Sequence, residues 1–310
     1  MTRLISVMTP CYNEEAVVET LYGAVQEAFA GLPNYTYEHI FIDNASTDST
    51  ATILRRLAAE DPRVKVILNT RNFGQIRSPY YGVLQCYGDA VVPMAADMQD
   101  PPILIPEFIE KWEQGYKVVQ AVKTSAHESG LMFAVRKFYY RLVSDISEVR
   151  LVQNTTGFGL YDKQVIDILR TLDDAYPYFR GVTAELGFES ATVTYSQPQR
   201  AGGKSSNNFF TLFDVAMAGI TSHSKVPLRV ATMAGFLSSV ASLLVAIGYL
   251  VYKLLNWQSF SVGVAPLVIG LFFISSVQLF FLGVVGEYIG AIYTQVHKRP
   301  LVVEKERINF

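Results

Sequence analysis

The sequence predicts an α/β domain with a parallel-rich sheet, then a short amphipathic helix and a two-helix membrane hairpin. Three observations lead there. Short apolar, β-branched runs alternate with helically spaced segments through the first part of the chain, polar loops follow those runs directly, and two long uncharged stretches come after them. The chain has 310 residues, about twice the ~150-residue size of an ordinary domain, which suits one large unit with an appendage. Half of the residues are apolar and only 17% are charged, against a usual ~25%, so apolar surface beyond the needs of one core must be placed somewhere.

The runs fall at Leu4–Met8, His39–Asp43, Val64–Asn69, Ala90–Met94 and Val118–Val122. After the first of them, Val17, Val18, Leu21, Val25 and Phe29 recur at helical spacing. Strands alternating with helices make a sheet covered on both faces, and no internal repeat marks an array. Ligands of such sheets bind beyond the carboxyl ends of the strands. There the chain reads Pro10-Cys11-Tyr12-Asn13-Glu14-Glu15, Asp43-Asn44-Ala45-Ser46-Thr47-Asp48 and Ala95-Ala96-Asp97-Met98-Gln99-Asp100-Pro101-Pro102. Each loop alone is ordinary turn and capping chemistry, but their order places three carboxylate-bearing loops on one edge. Asp100 is expected to cap the helix that begins after Pro101-Pro102.

Lys and Arg total 26 against 28 Asp and Glu, a net charge of −2, which excludes a broad basic surface and a nucleic-acid partner. Cys11 and Cys86 form neither a disulfide framework nor a zinc motif, and a reducing cytosolic compartment fits them. The histidines His39, His127, His223 and His297 form no cluster in sequence.

Val230 to Tyr252 is a run of 23 uncharged residues, about 34 Å of helix at ~1.5 Å per residue, enough to cross a ~30 Å hydrocarbon core. Val262 to Val285 gives a second run of 24. Lys225 and Arg229 precede the pair, His297, Lys298 and Arg299 follow it, and the turn carries only Lys253. By the positive-inside rule both termini face the cytosol, and the N-terminal apolar run is too short for a signal-peptide core. The expected organisation is a cytosolic domain over residues 1–206, a surface-lying amphipathic helix over 207–227, membrane helices within 228–286 and a cytosolic tail over 287–310. Gly283, Gly286 and Gly290 are spaced for close helix packing, so a homo-oligomer is expected.

These residues resemble the inverting family 2 glycosyltransferases of GT-A fold, and among them the polyprenyl-phosphate glycosyltransferases related to dolichol-phosphate-mannose synthase. The resemblance covers nearly the whole chain. It rests on Pro10–Glu15, Asp43–Asp48, Asn69-Thr-Arg-Asn-Phe-Gly74, Asp97–Pro102, Phe179-Arg-Gly181 and Arg200-Ala-Gly-Gly-Lys-Ser205. It implies a Rossmann-like, nucleotide-sugar-binding domain with Pro10, Tyr12, Asn13, Glu14, Ser46, Asn72, Arg200 and Ser205 around the donor. Asp43 is then on the base, where a carboxylate can accept an imide or amide N–H. Asp97 and Gln99 match the family's metal-binding pair, so Mg²⁺ or Mn²⁺ is the implied cofactor. Lys123 and Arg136 match its acceptor-phosphate pair, and with Asp97 they are the implied catalytic residues. Arg200, Lys204 and Ser205 would close over the phosphates, hinged at Gly202 and Gly203, while Arg71 and Arg180 shape the pocket.

Two departures stand out. The family's first Asp of its metal motif is Ala95 here, and many members carry Gly-Asp-Phe-Arg-Leu where this chain reads Thr156-Gly157-Phe158-Gly159-Leu160. The partners implied are a nucleoside-diphosphate sugar, UDP-linked by preference, and polyprenyl phosphate at the inner (cytoplasmic) membrane, with lipid-linked sugar as product. A non-catalytic nucleotide-sugar-binding scaffold and a transferase acting on a soluble glycan are the alternatives. A processive polysaccharide synthase is a poorer match, since the chain lacks a Gln-x-x-Arg-Trp motif.

Overall fold

The computed structural model describes residues 2–124, 152, 154–174, 177–198, 226–255, 264–297 and 299–310. The chain runs β1 (Arg3–Cys11), α1 (Val18–Ala30), β2 (Tyr35–Asp43), α2 (Thr50–Glu60), β3 (Val64–Asn69), α3 (Gly74–Leu84) and β4 (Ala90–Pro93). It continues through a short 3₁₀ turn to α4 (Ile105–Glu113), β5 (Val118–Lys123), β6 (Thr155–Asp162), α5 (Lys163–Thr171), α6 (Phe179–Glu185) and β7 (Ser190–Tyr195). The last elements are α7 (Val226–Leu255), α8 (Val264–Val296) and β8 (Glu304–Ile308).

The sheet order is β7-β5-β6-β4-β1-β2-β3-β8. β1 pairs in parallel with β2 and β4, β2 with β3, and β5 with β7. β6 runs antiparallel to β4 and β5, and β8 antiparallel to β3. The sheet is thus mixed, with its parallel centre where the apolar runs were read. Those strands are predominantly apolar because helices cover both faces, and the polar side chains among them, such as Ser6, Glu38 and His39, are buried. On one face Ile5, Val7 and Phe41 meet Leu21 of α1, Leu54 of α2 and Phe108 of α4. On the other, Met8, Ile40 and Ile67 meet Tyr80 of α3, Ile166 of α5 and Val182 of α6.

α7 contains the first uncharged run, and α8 contains the second from Val264 onward. The second was expected to end at Val285, but the helix continues to Val296 because the added turns carry one charge, Glu287, and no breaker. Among the described residues one stretch, Phe273–Val296, is long and apolar enough to cross a membrane, with a mean hydropathy of 1.5 and none of it buried.

Past α8 the chain does not trail off. β8 adds to the free edge of β3, where Arg55 grips Glu306 at 2.7 Å and the Tyr81 hydroxyl donates to Glu304 at 2.9 Å. Asn309, in the left-handed region at φ 62°, donates its amide to the carbonyls of Ala58 and Val64 at 2.6 and 2.9 Å.

Candidate active site

Because β1 to β5 point the same way and β6 starts where they end, the loops after β1, β2, β3 and β4, the end of β5 and the start of β6 share one edge of the sheet. That edge holds Tyr12, Asn13, Asp43, Asn72, Asp97 and Lys123.

The first two loops are laced together. Asp43 is 2% exposed and accepts the Ser46 N–H at 3.1 Å as well as the Ser46 hydroxyl. That hydroxyl oxygen also accepts the Asn13 N–H at 2.9 Å, and the Asn13 side-chain oxygen accepts the Thr47 N–H at 2.8 Å. Asn13 takes φ 57°, which asparagine tolerates better than most side chains. Glu14 joins through its N–H to the Thr50 hydroxyl at 2.9 Å. Burial pushes the Asp43 carboxyl up, against the Ser46 bonds that pull it down. A carboxylate fixed at the end of β2 results, in register with Cys11, the last residue of β1, after which comes Tyr12, 39% exposed.

The third loop is held by three asparagines, of which Asn72 was expected beside the donor while Asn44 and Asn69 were given no role of their own. Asn44, 7% exposed, donates to the Asn72 side-chain oxygen at 2.9 Å and accepts from Asn69 at 3.2 Å and from the Phe73 N–H at 2.9 Å. Asn72 in turn accepts the Gly74 N–H at 2.8 Å. The signal available in sequence was an Asn directly after β2 and another at the end of β3, which reads as ordinary turn chemistry. Arg71 lies over the Phe73 ring at 4.1 Å.

The fourth loop carries Asp97, 6% exposed, whose carboxylate accepts the Gln99 N–H at 3.2 Å across Met98 at φ 62°. Asp100 is no helix cap: the following turn has no side-chain cap, and the Asp100 carboxylate points back to accept the Ala95 N–H at 3.0 Å and the Tyr195 hydroxyl at 3.3 Å. Pro101 and Pro102 leave few N–H groups there to cap, which frees the carboxylate to close the loop. Burial pushes Asp100 up to about 6, opposed by the Ala95 N–H and the Lys123 charge and reinforced by Asp97. Lys123 is therefore brought within electrostatic reach of the acidic loop.

A divalent cation at this loop would meet the Asp97 carboxylate and the Gln99 amide. Among the described residues no three His, Cys, Asp or Glu side chains are grouped so that they could hold a metal ion by themselves. An all-oxygen set with one carboxylate suits Mg²⁺ or Mn²⁺ completing its shell from phosphate and water, so the residues fit such an ion.

Gly157 and Gly159 explain the second departure from the family pattern. Gly157 takes φ 95°, and a Cβ on Gly159 would stand 2.1 Å from the Val119 carbonyl oxygen. The backbone itself excludes a side chain at the latter position. Arg180 donates to the Thr155 carbonyl at 2.6 Å and lines a cavity of about 160 Å³ with Gln120 and Thr183. Arg136, Arg200, Gly202, Gly203, Lys204, Ser205 and nearly all of the expected surface helix over 207–227 lie outside the described residues.

The sequence profile described as Glycosyl transferase family 2 matches residues 6–167. The chain is 36% identical over 299 residues to an uncharacterized glycosyltransferase, YkcC, of Bacillus subtilis, covering 96% of this chain and 92% of that one. It is 34% identical over 304 residues to the SfII prophage-derived bactoprenol glucosyl transferase of Shigella flexneri, covering 97% of each. Among solved structures, glucosyl-3-phosphoglycerate synthase of Mycobacterium tuberculosis, with Mn²⁺, UDP and phosphoglyceric acid, is 20% identical. That alignment covers 71% of this chain and 76% of the other, with a TM-score of 0.49.

Proposed function

Since the chain belongs to glycosyl transferase family 2 and is a glycosyltransferase, we propose that it moves a monosaccharide from a nucleoside-diphosphate sugar, UDP-linked by preference, to polyprenyl phosphate at the cytoplasmic membrane. The observation that carries this reading is the end-to-end similarity to a bactoprenol glucosyl transferase, which extends through the apolar helices as well as the catalytic unit.

In this reading Asp43 accepts an N–H of the base, held in place by Ser46 and Asn13, with Pro10, Tyr12, Glu14 and Asn72 around the nucleoside and Arg200 and Ser205 on the phosphates. Asp97 and Gln99 would hold Mg²⁺ or Mn²⁺, which when bound supplies positive charge to the departing diphosphate. Ala95 in place of the usual first Asp leaves one carboxylate, enough for an ion that also takes donor phosphate oxygens. Lys123 and Arg136 bring the acceptor phosphate up to the anionic donor, against a repulsion that would otherwise keep two polyanions apart. The acceptor phosphate carries roughly −1.5 to −2 charges near pH 7, so its oxygen needs no general base. That oxygen bonds to the anomeric carbon as the bond to the diphosphate breaks, in line and with inversion. The product is a lipid-linked sugar for assembly or modification of a surface glycan.

Membrane anchoring follows from α7 and α8, which we read as a hairpin of two spans with the surface helix of 207–227 before it. Support for an even number of crossings comes from β8: the chain leaves the catalytic unit before α7 and rejoins its sheet after α8. Both termini are then cytosolic. The small-residue spacing at Gly283, Gly286 and Gly290 supports a homo-oligomer.

Detergent-purified protein, incubated with undecaprenyl phosphate, Mg²⁺ or Mn²⁺ and a panel of UDP- and GDP-sugars, tests the proposal through nucleoside diphosphate release and mass spectrometry of the lipid. A metal-dependent glycosyl phospholipid is expected. Transfer to a water-soluble acceptor with none to the lipid, or nucleotide binding without transfer to either, would overturn it.

A further inference from the structure

The Asp97 loop is fastened by a residue that lies 98 positions further along the chain. Tyr195 is the last residue of β7, in register with Lys123 of β5. Its ring is 6% exposed and meets Phe158 edge-on at 6.0 Å, so the side chain has one direction to point. The hydroxyl reaches Asp100 at 3.3 Å, and the other Asp100 oxygen accepts the Ala95 N–H at 3.0 Å. The Asp100 carboxylate thus ties the first and last residues of the six-residue turn that presents Asp97 and Gln99. Within that turn Met98 sits at φ 62°, a conformation a non-glycine residue keeps only when its surroundings impose it. The main chain of Tyr195 is fixed too: its carbonyl accepts both the N–H and the hydroxyl of Thr124, at 2.9 and 3.1 Å.

We propose that Tyr195 is a positioning residue for the cation and diphosphate, acting through Asp100 to hold the 95–100 turn in the shape that aims Asp97 and Gln99. The proposal rests on reading Asp97 as the cation ligand. It adds that this aim is set from β7, a strand three places away from β4 in the sheet order. Outer-shell partners of metal ligands act in this way, by restricting the ligand's orientation.

The test is Mn²⁺ binding to the full-length protein in detergent with saturating UDP, read from loss of the free-ion EPR signal and so independent of turnover. Tyr195→Phe keeps the ring against Phe158 and removes only the hydroxyl. It is expected to weaken Mn²⁺ binding about tenfold while UDP affinity without metal stays at the wild-type value. Asp100→Asn should weaken Mn²⁺ binding in the same direction. The double variant should lose no more than Asp100→Asn alone, because the tyrosine acts through that carboxylate.

Wild-type Mn²⁺ affinity in Tyr195→Phe overturns the inference. So does an equal loss of UDP binding with and without metal, which is the signature of general loosening, and so does additivity in the double variant. If the wild-type protein takes up no Mn²⁺ with UDP and Asp97→Asn changes nothing, the cation reading of Asp97 falls and this inference falls with it.

Discussion

The N–H and the hydroxyl of Thr70 both donate to the carbonyl oxygen of Val303, at 3.0 and 3.2 Å, so the end of β3 is fastened to the chain that returns from α8. Two residues further on, Asn72 holds Asn44. The returning strand therefore supports the loop that carries Asn72, through its pairing with β3 and through side-chain bonds from Arg55, Tyr81 and Asn309.

Among the side chains of that strand, Asn309 matters more than the ion pair. Asn309→Ala strips a donor from two carbonyls, those of Ala58 and Val64, and should cost about 1–2 kcal/mol. Glu306→Ala removes a pair about 40% exposed on each side, worth less than about 1 kcal/mol after screening by solvent. Thermal midpoints of the purified variants check the ranking, and a larger loss for Glu306→Ala would reverse it.

A buried histidine should make the protein acid-labile. His39 is 0% exposed, its Nε2 lies 2.9 Å from the Thr9 hydroxyl, its Nδ1 has no hydrogen-bond partner, and burial pushes it down to about 3. The unfolded chain protonates this ring below about 6.5 while the fold keeps it neutral, so the unfolded state binds more protons and stability falls as the pH drops from 6.5 toward 3. The slope from this residue is about 1.4 kcal/mol per pH unit. His39→Gln, compared with wild type by thermal melts between pH 7 and pH 4, should lose stability less steeply. Parallel curves would show that the ring protonates within the fold.

The two glycines of β6 should respond differently to the same change. Gly157→Ala meets the Phe179 ring at 3.6 Å and the Arg180 side chain at 3.8 Å, both ordinary contacts, so its cost is the left-handed φ, about 1–2 kcal/mol. Gly159→Ala drives a methyl into the Val119 carbonyl and parts β5 from β6, costing about 3 kcal/mol or more. Thermal melts of the two variants separate these cases. Equal melting points would mean that the β5–β6 register shifts freely to make room.

The parallel strands were legible because a strand covered on both faces is a near-continuous apolar run, as Leu4–Met8 is but for Ser6 and Val64–Leu68 is but for Lys65. β8 was not, because Glu304-Lys305-Glu306-Arg307 is as charged as an edge strand should be and its partner lies some 240 residues upstream. β6 was hidden by its glycines, which weaken strand propensity even though close approach to β5 requires one of them. In the site, the motif residues of the first two loops fall together. The asparagine network around Asn44 and the inward turn of Asp100 depend on contacts between loops, which no local pattern records.

The two charges nearest the proposed chemistry should fail in different ways. Asp97 is buried in a turn whose oxygens would carry the cation, so Asp97→Ala removes charge stabilisation that develops as the diphosphate leaves. Transfer should drop by at least about a hundredfold with saturating Mn²⁺. Lys123, at the end of β5, would in the proposed reaction act earlier, on encounter with the lipid phosphate. Lys123→Ala, like Arg136→Ala, should raise the KM for polyprenyl phosphate while leaving metal-free UDP affinity near wild type. Initial rates against both substrates, with UDP binding measured separately, distinguish the two roles. Near wild-type turnover in Asp97→Ala would mean that the cation is held elsewhere, and an unchanged lipid KM in Lys123→Ala would leave the acceptor phosphate to other groups.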